Sequence, residues 1–125
     1  MQVKINTRGR FHAITIKESQ FAANMTAELD QTVLPFLQND VKNVILNLKD
    51  IQNMDIAAAQ HLVKLQGHFS QANASFVICA LQKAQAKKLD QLGLLDNLNT
   101  APTEKEAADI VHMEELEREL TDKED

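Results

Sequence analysis

Asp55 is the acid best placed to do chemistry in this chain. It stands directly before Ile56-Ala57-Ala58-Ala59, and alanine is the strongest helix former, so the carboxylate sits at a helix start. There it can cap the helix by accepting backbone N–H groups. It could serve as a general base only with a partner side chain in reach, and Ile56 and the alanines supply none. The expected role is the N-cap. His61 and His68 are seven residues apart and share a helix face, but Lys64 stands between them and a metal would need further ligands. They read as two solvated histidines. Cys79 lies inside the apolar run Phe76-Val77-Ile78-Cys79-Ala80 with no motif partner, so it reads as a small buried hydrophobe rather than a nucleophile. His12 reads as an ordinary strand residue.

Catalytic and cofactor motifs are missing. There is no Gly-rich phosphate loop, no Cys-x-x-Cys, no Gly-x-Ser-x-Gly and no His-Glu-x-x-His. Only three glycines occur, at positions 9, 67 and 93. No enzyme activity, metal or cofactor is expected.

The elements that must position Asp55 follow from periodicity. Val44-Ile45-Leu46 is short, apolar and rich in β-branched residues, as in a strand buried on both faces of a parallel sheet. A polar connection, Lys49 to Asn53, then leads through Met54-Asp55 into a helix from Ile56 to about Gln71. Asn73 can take the left-handed conformation that ends it. Upstream, Gln2–Asn6 and Phe11–Ile16 alternate apolar and polar residues around Arg8-Gly9-Arg10, which predicts an antiparallel hairpin. A helical pattern from about Phe21 places Met25, Leu29, Val33, Phe36 and Leu37 on one stripe. Pro35 removes a backbone donor and clashes one turn back, so a break is expected near Leu34.

Downstream, Ser75–Ala80 predicts a fourth strand. Lys83–Leu92 predicts a short helix that Gly93 closes, and Leu98–Thr100 a short fifth strand. Thr103-Glu104-Lys105-Glu106 is a capping box for a last helix with Ala107, Ile110, Val111 and Leu116 inward. The stretch 114–125 is charged, and its expected state is a solvated, fraying helix end. Met113, Leu116 and Leu120 offer the alternative of a partner-facing extension. The fold class is α/β: one domain over residues 1–125, with a mixed, mostly parallel sheet of four to five strands and about four helices.

Composition narrows the function. At 125 residues, 44% hydrophobic and 25% charged, the chain matches one ordinary globular domain. A net charge of −5 and 4% aromatic content argue against nucleic acid, which wants a basic face or stacking rings. No apolar span reaches bilayer length, and MQVKINTRGR lacks the core of a signal peptide. One cysteine permits no intrachain disulfide. A cytoplasmic location and no membrane partner are expected.

Asn47-Leu48, Ile51, Met54 and Asp55 also carry a family resemblance. They are similar to the STAS domain pattern, in which a strand ending in Asp-Leu or Asn-Leu precedes a short loop and Asp-Ser-[Ser/Thr]-Gly opening a helix. The match continues into Phe76–Ala80 and Leu89-Asp90-Gln91-Leu92-Gly93-Leu94-Leu95, and covers roughly Lys42 to Val111. The N-terminal third fits by element order. The resemblance implies a STAS-like α/β fold. It implies a protein-interaction role like that of bacterial anti-sigma factor antagonists, in transcription or stress signalling. The partner would be a kinase-type anti-sigma factor, bound through Asn53, Met54, Asp55, Ile56, Ala57 and Gln60. The family serine that such kinases phosphorylate is replaced by Ile56, and the following hydroxyl and Gly by alanines. No phosphorylation is therefore expected at that position. A second class stays open: a STAS-type small-ligand or nucleotide sensor, or a scaffold subunit.

Overall fold

The computed structural model describes residues 1–124, with side chains through Thr121. Strands β1 (Val3–Thr7) and β2 (His12–Ile16) form the expected antiparallel hairpin, with Val3 opposite Ile16 and Thr7 opposite His12. A two-residue strand β3 (Gln20–Phe21) follows. Helix α1 (Thr26–Val33) lies between two 3₁₀ turns, Ala23–Met25 and Leu34–Gln38. The α-helix stops where Pro35 predicts, because proline fits only the first turn of the second 3₁₀ segment. The start differs from expectation: Phe21 belongs to a strand and not to a helix.

Strand β4 (Val44–Asn47) leads through β5 (Asn53–Met54) into α2 (Ile56–Gln71). Then come β6 (Phe76–Cys79), α3 (Lys83–Gln91), β7 (Thr100–Ala101) and α4 (Glu104–Glu124). The main sheet has the order β1-β2-β4-β6-β7, parallel except for the hairpin. A second, two-stranded parallel sheet joins β3 to β5, with Phe21 beside Met54.

The two central strands are apolar on both faces because helices cover both. Val44, Leu46, Phe76 and Ile78 face a core shared with Leu29 and Val33 of α1, Leu62, Leu65 and Phe69 of α2, and Leu89 of α3. Ile45, Val77 and Cys79 face the other way, against Ala101 and the Ala107 and Val111 of α4. Successive side chains of a strand alternate faces, so each strand stitches the two layers together. Each fully buried Ile or Leu contributes about 1.5–3 kcal/mol.

Helix ends follow local chemistry. Asn73 and Gly93 both have positive φ, at 56° and 72°, and stop α2 and α3. Ala74 and Leu94 N–H groups then reach back to the Phe69 and Leu89 carbonyls, each at 2.9 Å. The Thr103 hydroxyl accepts the Glu106 N–H at 3.1 Å and caps α4 as the capping box predicts. That helix continues through Glu124; Asp125, the last residue of the stretch read as fraying, lies outside the described residues. Leu116 departs from expectation: it is 45% exposed and does not turn inward. Its position on α4 lies opposite the Ala107–Val111 stripe, about half a turn around the helix.

Two histidines are better tied than the sequence implies. His12 is buried, bonded to the Thr7 hydroxyl and to the Val41 carbonyl, each at 2.9 Å, and stacked on Phe36. His61 is not simply solvated: its Nε2 lies 2.6 Å from the Asp30 carboxylate and joins α2 to α1. His68 is exposed. No helix among the described residues is long and apolar enough to cross a membrane.

Candidate partner-binding site

The start of α2 is built by three segments far apart in sequence. The Ser19 carbonyl accepts the N–H groups of Gln52 and Asn53, at 2.7 and 3.1 Å, and so begins the β3–β5 ladder. The ladder continues as Asp55 N–H donates to the Phe21 carbonyl at 3.2 Å. Asp55 itself is extended, with φ −81° and ψ 168°, as an N-cap must be. Its Oδ1 accepts the Ala58 N–H at 2.8 Å, and its Oδ2 accepts the Ala23 N–H at 3.0 Å. The one carboxylate therefore caps α2 and fastens the segment that enters α1.

These bonds fix the electrostatics. The Ala58 N–H foremost, then the Ala23 N–H, hold the Asp55 carboxyl below its ordinary range, and the nearby Lys88 charge adds to the effect. Donors that favour the ionised form lower a carboxyl's pKa, and here they outweigh its modest desolvation.

Helix α3 braces the same loop. Gln82 Nε2 donates to the Lys49 carbonyl at 2.9 Å, Gln85 Nε2 to the Gln52 carbonyl at 2.5 Å, and the Lys88 ammonium to the Met54 carbonyl. These three side chains recur at every third residue, so they line one side of the helix. Sequence reasoning missed them. The signal was present as Gln82-x-x-Gln85-x-x-Lys88, but a polar helix face gives no hint that its target is loop backbone.

Of the six residues expected to meet a partner, five are exposed: Asn53, Asp55, Ile56, Ala57 and Gln60. Ile56 is 52% exposed at the first helical position. Met54 is not among them. It is 2% exposed and packs in the core, because its place in β5 beside Phe21 turns it inward. Nothing in the site pairs a nucleophile with a base. Cys79 lies elsewhere, fully buried, and burial first, with the Glu104 charge second, pushes its thiol up to about 12. Among the described residues no three His, Cys, Asp or Glu side chains gather as a metal site.

An open cleft of about 480 Å³ lies at the opposite end of α2, between Gln66, Ser70 and Asn73 and the α4 residues Glu114, Glu117, Arg118 and Thr121.

The family model described as STAS domain matches residues 2–107. No curated protein matches the sequence. Several solved structures share the fold. A serine-to-glutamate variant of RsbS from Moorella thermoacetica is 17% identical, with a TM-score of 0.75, covering 94% of this chain and 99% of its own. An anti-sigma factor antagonist from Mycobacterium paratuberculosis is 12% identical, with a TM-score of 0.75, covering 89% and 93%. A chain from the molecular architecture of the stressosome, a signal integration and transduction hub, is 16% identical, with a TM-score of 0.67, covering 87% and 96%.

Proposed function

The chain belongs to the STAS domain family, and we propose that it works as a non-catalytic protein-interaction module resembling an anti-sigma factor antagonist in bacterial signalling. The observation that carries this reading is the α2 start. It is held from two sides, by Asp55 and by α3, and it presents Ile56 to solvent within a polar rim of Asn53, Asp55 and Gln60. A rigid site with one apolar centre and a polar rim has the make-up of a small protein contact. The rigid support also lowers the ordering cost that a partner would face on binding.

The partner class is a kinase-type anti-sigma factor, met through Asn53, Asp55, Ile56, Ala57 and Gln60. Control by phosphate would not act at the family position, because Ile56 carries no hydroxyl. A nucleotide or small-ligand sensor is disfavoured: the Asp55 carboxylate already occupies the α2 start, and the cleft between α2 and α4 is lined by Glu114 and Glu117 beside a single Arg118. The test is affinity capture with the whole chain, followed by mass spectrometry and titration of what is captured. A thermal-shift screen with nucleotides runs beside it. Capture of a kinase-type protein that the Ile56→Asp variant releases supports the reading. A large thermal shift with nucleotide and no such partner overturns it.

A further inference from the structure

Two helices on opposite layers of the protein carry outer faces of opposite sign. On α4, Met113, Leu116 and Leu120 are 59%, 45% and 62% exposed, and their spacing of three and four residues sets them in one stripe. Exposed Glu106, Asp109, Glu117 and Glu119 flank that stripe, with Lys105 the one cation among the described side chains of this face. On α3, Lys83 and Lys87 are exposed one turn apart with exposed Ala84 beside them, Lys88 is half-buried, and Asp90 is the helix's single acid. Leu92 stands exposed at its end. Helix α3 packs through Leu89 with the α1–α2 layer, and α4 packs through Ala107 and Val111 on the other side of the sheet. One protomer therefore cannot bring its own two faces together.

We propose that a second copy of this chain is the occupant: the acidic, apolar-striped face of α4 docks on the lysine face of α3 of the next copy, head to tail. Charge complementarity selects this pairing over α4 against α4, which would oppose Glu117 and Glu119 to their own copies. The Met113–Leu116–Leu120 stripe meets the small Ala84 beside the lysines, where a helix can approach closely, and the acids meet Lys83 and Lys87. Such a contact is heterologous, so it propagates into rings or filaments instead of closing at two subunits. It goes beyond the partner contact proposed above, and its residues lie outside the Asn53–Gln60 site.

Sedimentation velocity of the whole chain tests it, over a wide concentration range at low and at physiological salt. The expected result is a mass that rises past that of a dimer with concentration and falls as salt screens the contact. Lys87→Glu and Glu117→Lys should each weaken self-association by about tenfold or more. Mixed in equal amounts, the two variants should associate again, since the intact α4 face of one meets the intact α3 face of the other and the two reversed charges also have opposite signs. Leu116→Glu should also abolish association, and all three sites are exposed, so circular dichroism should show the parent fold. A parent that stays monomeric at every concentration overturns the proposal. So does a dimer that Lys87→Glu leaves intact, or a mixture that fails to associate. These outcomes leave the Ile56 contact untouched, because its own test reads affinity for another protein.

Discussion

The Asp55 carboxylate joins its own helix to Ala23, a residue 32 positions earlier, at 3.0 Å, while its other oxygen caps α2 at Ala58. The two acceptor positions are not equivalent to an amide's. Asp55→Asn keeps an oxygen for Ala58, but then turns an NH₂ toward the Ala23 N–H. Asp55→Ala removes both acceptors. The melting temperature at neutral pH should therefore fall in the order parent, Asn, Ala. The folded carboxyl is held below its ordinary value, so its contribution is complete above the unfolded value and is lost as pH falls through the folded one. Melts taken from neutral to acid pH should show that the parent's advantage over Asp55→Ala shrinks only on the acid side. An advantage independent of pH would mean the bonds do not depend on the charge.

The central strands supply the second prediction. Ile45 and Ile78 are both 0% exposed and face opposite layers, Ile45 toward α4 and Ile78 toward α2. Either residue changed to alanine should cost about 2–5 kcal/mol in urea unfolding, the range for emptying a core site. A much smaller loss at Ile45 alone would show that α4 does not complete the core.

Much of this arrangement is legible in the sequence. Val44-Ile45-Leu46 and Phe76-Val77-Ile78-Cys79 are continuous apolar runs because both of their faces are covered, and such runs are hard to mistake. Asp55 before three alanines marks the start of α2, and Pro35 marks the end of α1. The β3–β5 sheet was hidden for a physical reason. Strands of two residues have no period, so Phe21 falls equally well on the helical stripe that follows, and Met54 reads as part of the surface loop. Leu116 lies about half a turn from the Ala107–Val111 stripe, so the helical period itself sets it on the outer face. At the site, the exposed Ile56 and the N-cap were readable, but the bracing by Gln82, Gln85 and Lys88 was not, since its acceptors are backbone carbonyls.

Cys79 gives a chemical readout of the α4 layer. Its thiol is buried and pushed up to about 12, so the nucleophilic thiolate is scarce in the folded protein. A thiol reagent at mildly alkaline pH should leave the native chain unlabelled and label it at once in denaturant. Fast labelling without denaturant would indicate that α4 opens readily from the sheet.

Residues 54–62 contain no Ser, Thr or Tyr, so incubation with a family-type kinase and ATP should leave this segment unmodified. The hydroxyl best placed to stand in is Ser19, which is exposed and whose own carbonyl holds Gln52 and Asn53. Ser75 is 2% exposed and shielded from any kinase, and Ser70 lies near the far end of α2. Intact-mass and peptide mapping decide between these cases. Phosphate on Ser19 that changes partner affinity would show that control has moved one segment away; phosphate anywhere in 54–62 would contradict the sequence argument itself.

Ile56→Asp separates surface from core at the proposed contact. Ile56 is 52% exposed at the first position of α2, so an acid there loses little packing and meets the positive end of the helix dipole. That interaction is worth about 0.3–1 kcal/mol, offset in part by the neighbouring Asp55 carboxylate. Stability should stay level or rise slightly. Binding should move the opposite way, because a carboxylate placed at the centre of an apolar contact weakens it by more than ~1 kcal/mol. A calorimetric melt and a titration against the captured partner measure the two effects separately. A destabilised variant would place Ile56 in the packing of the protein. A stable variant with parental affinity would move the partner contact away from the α2 start.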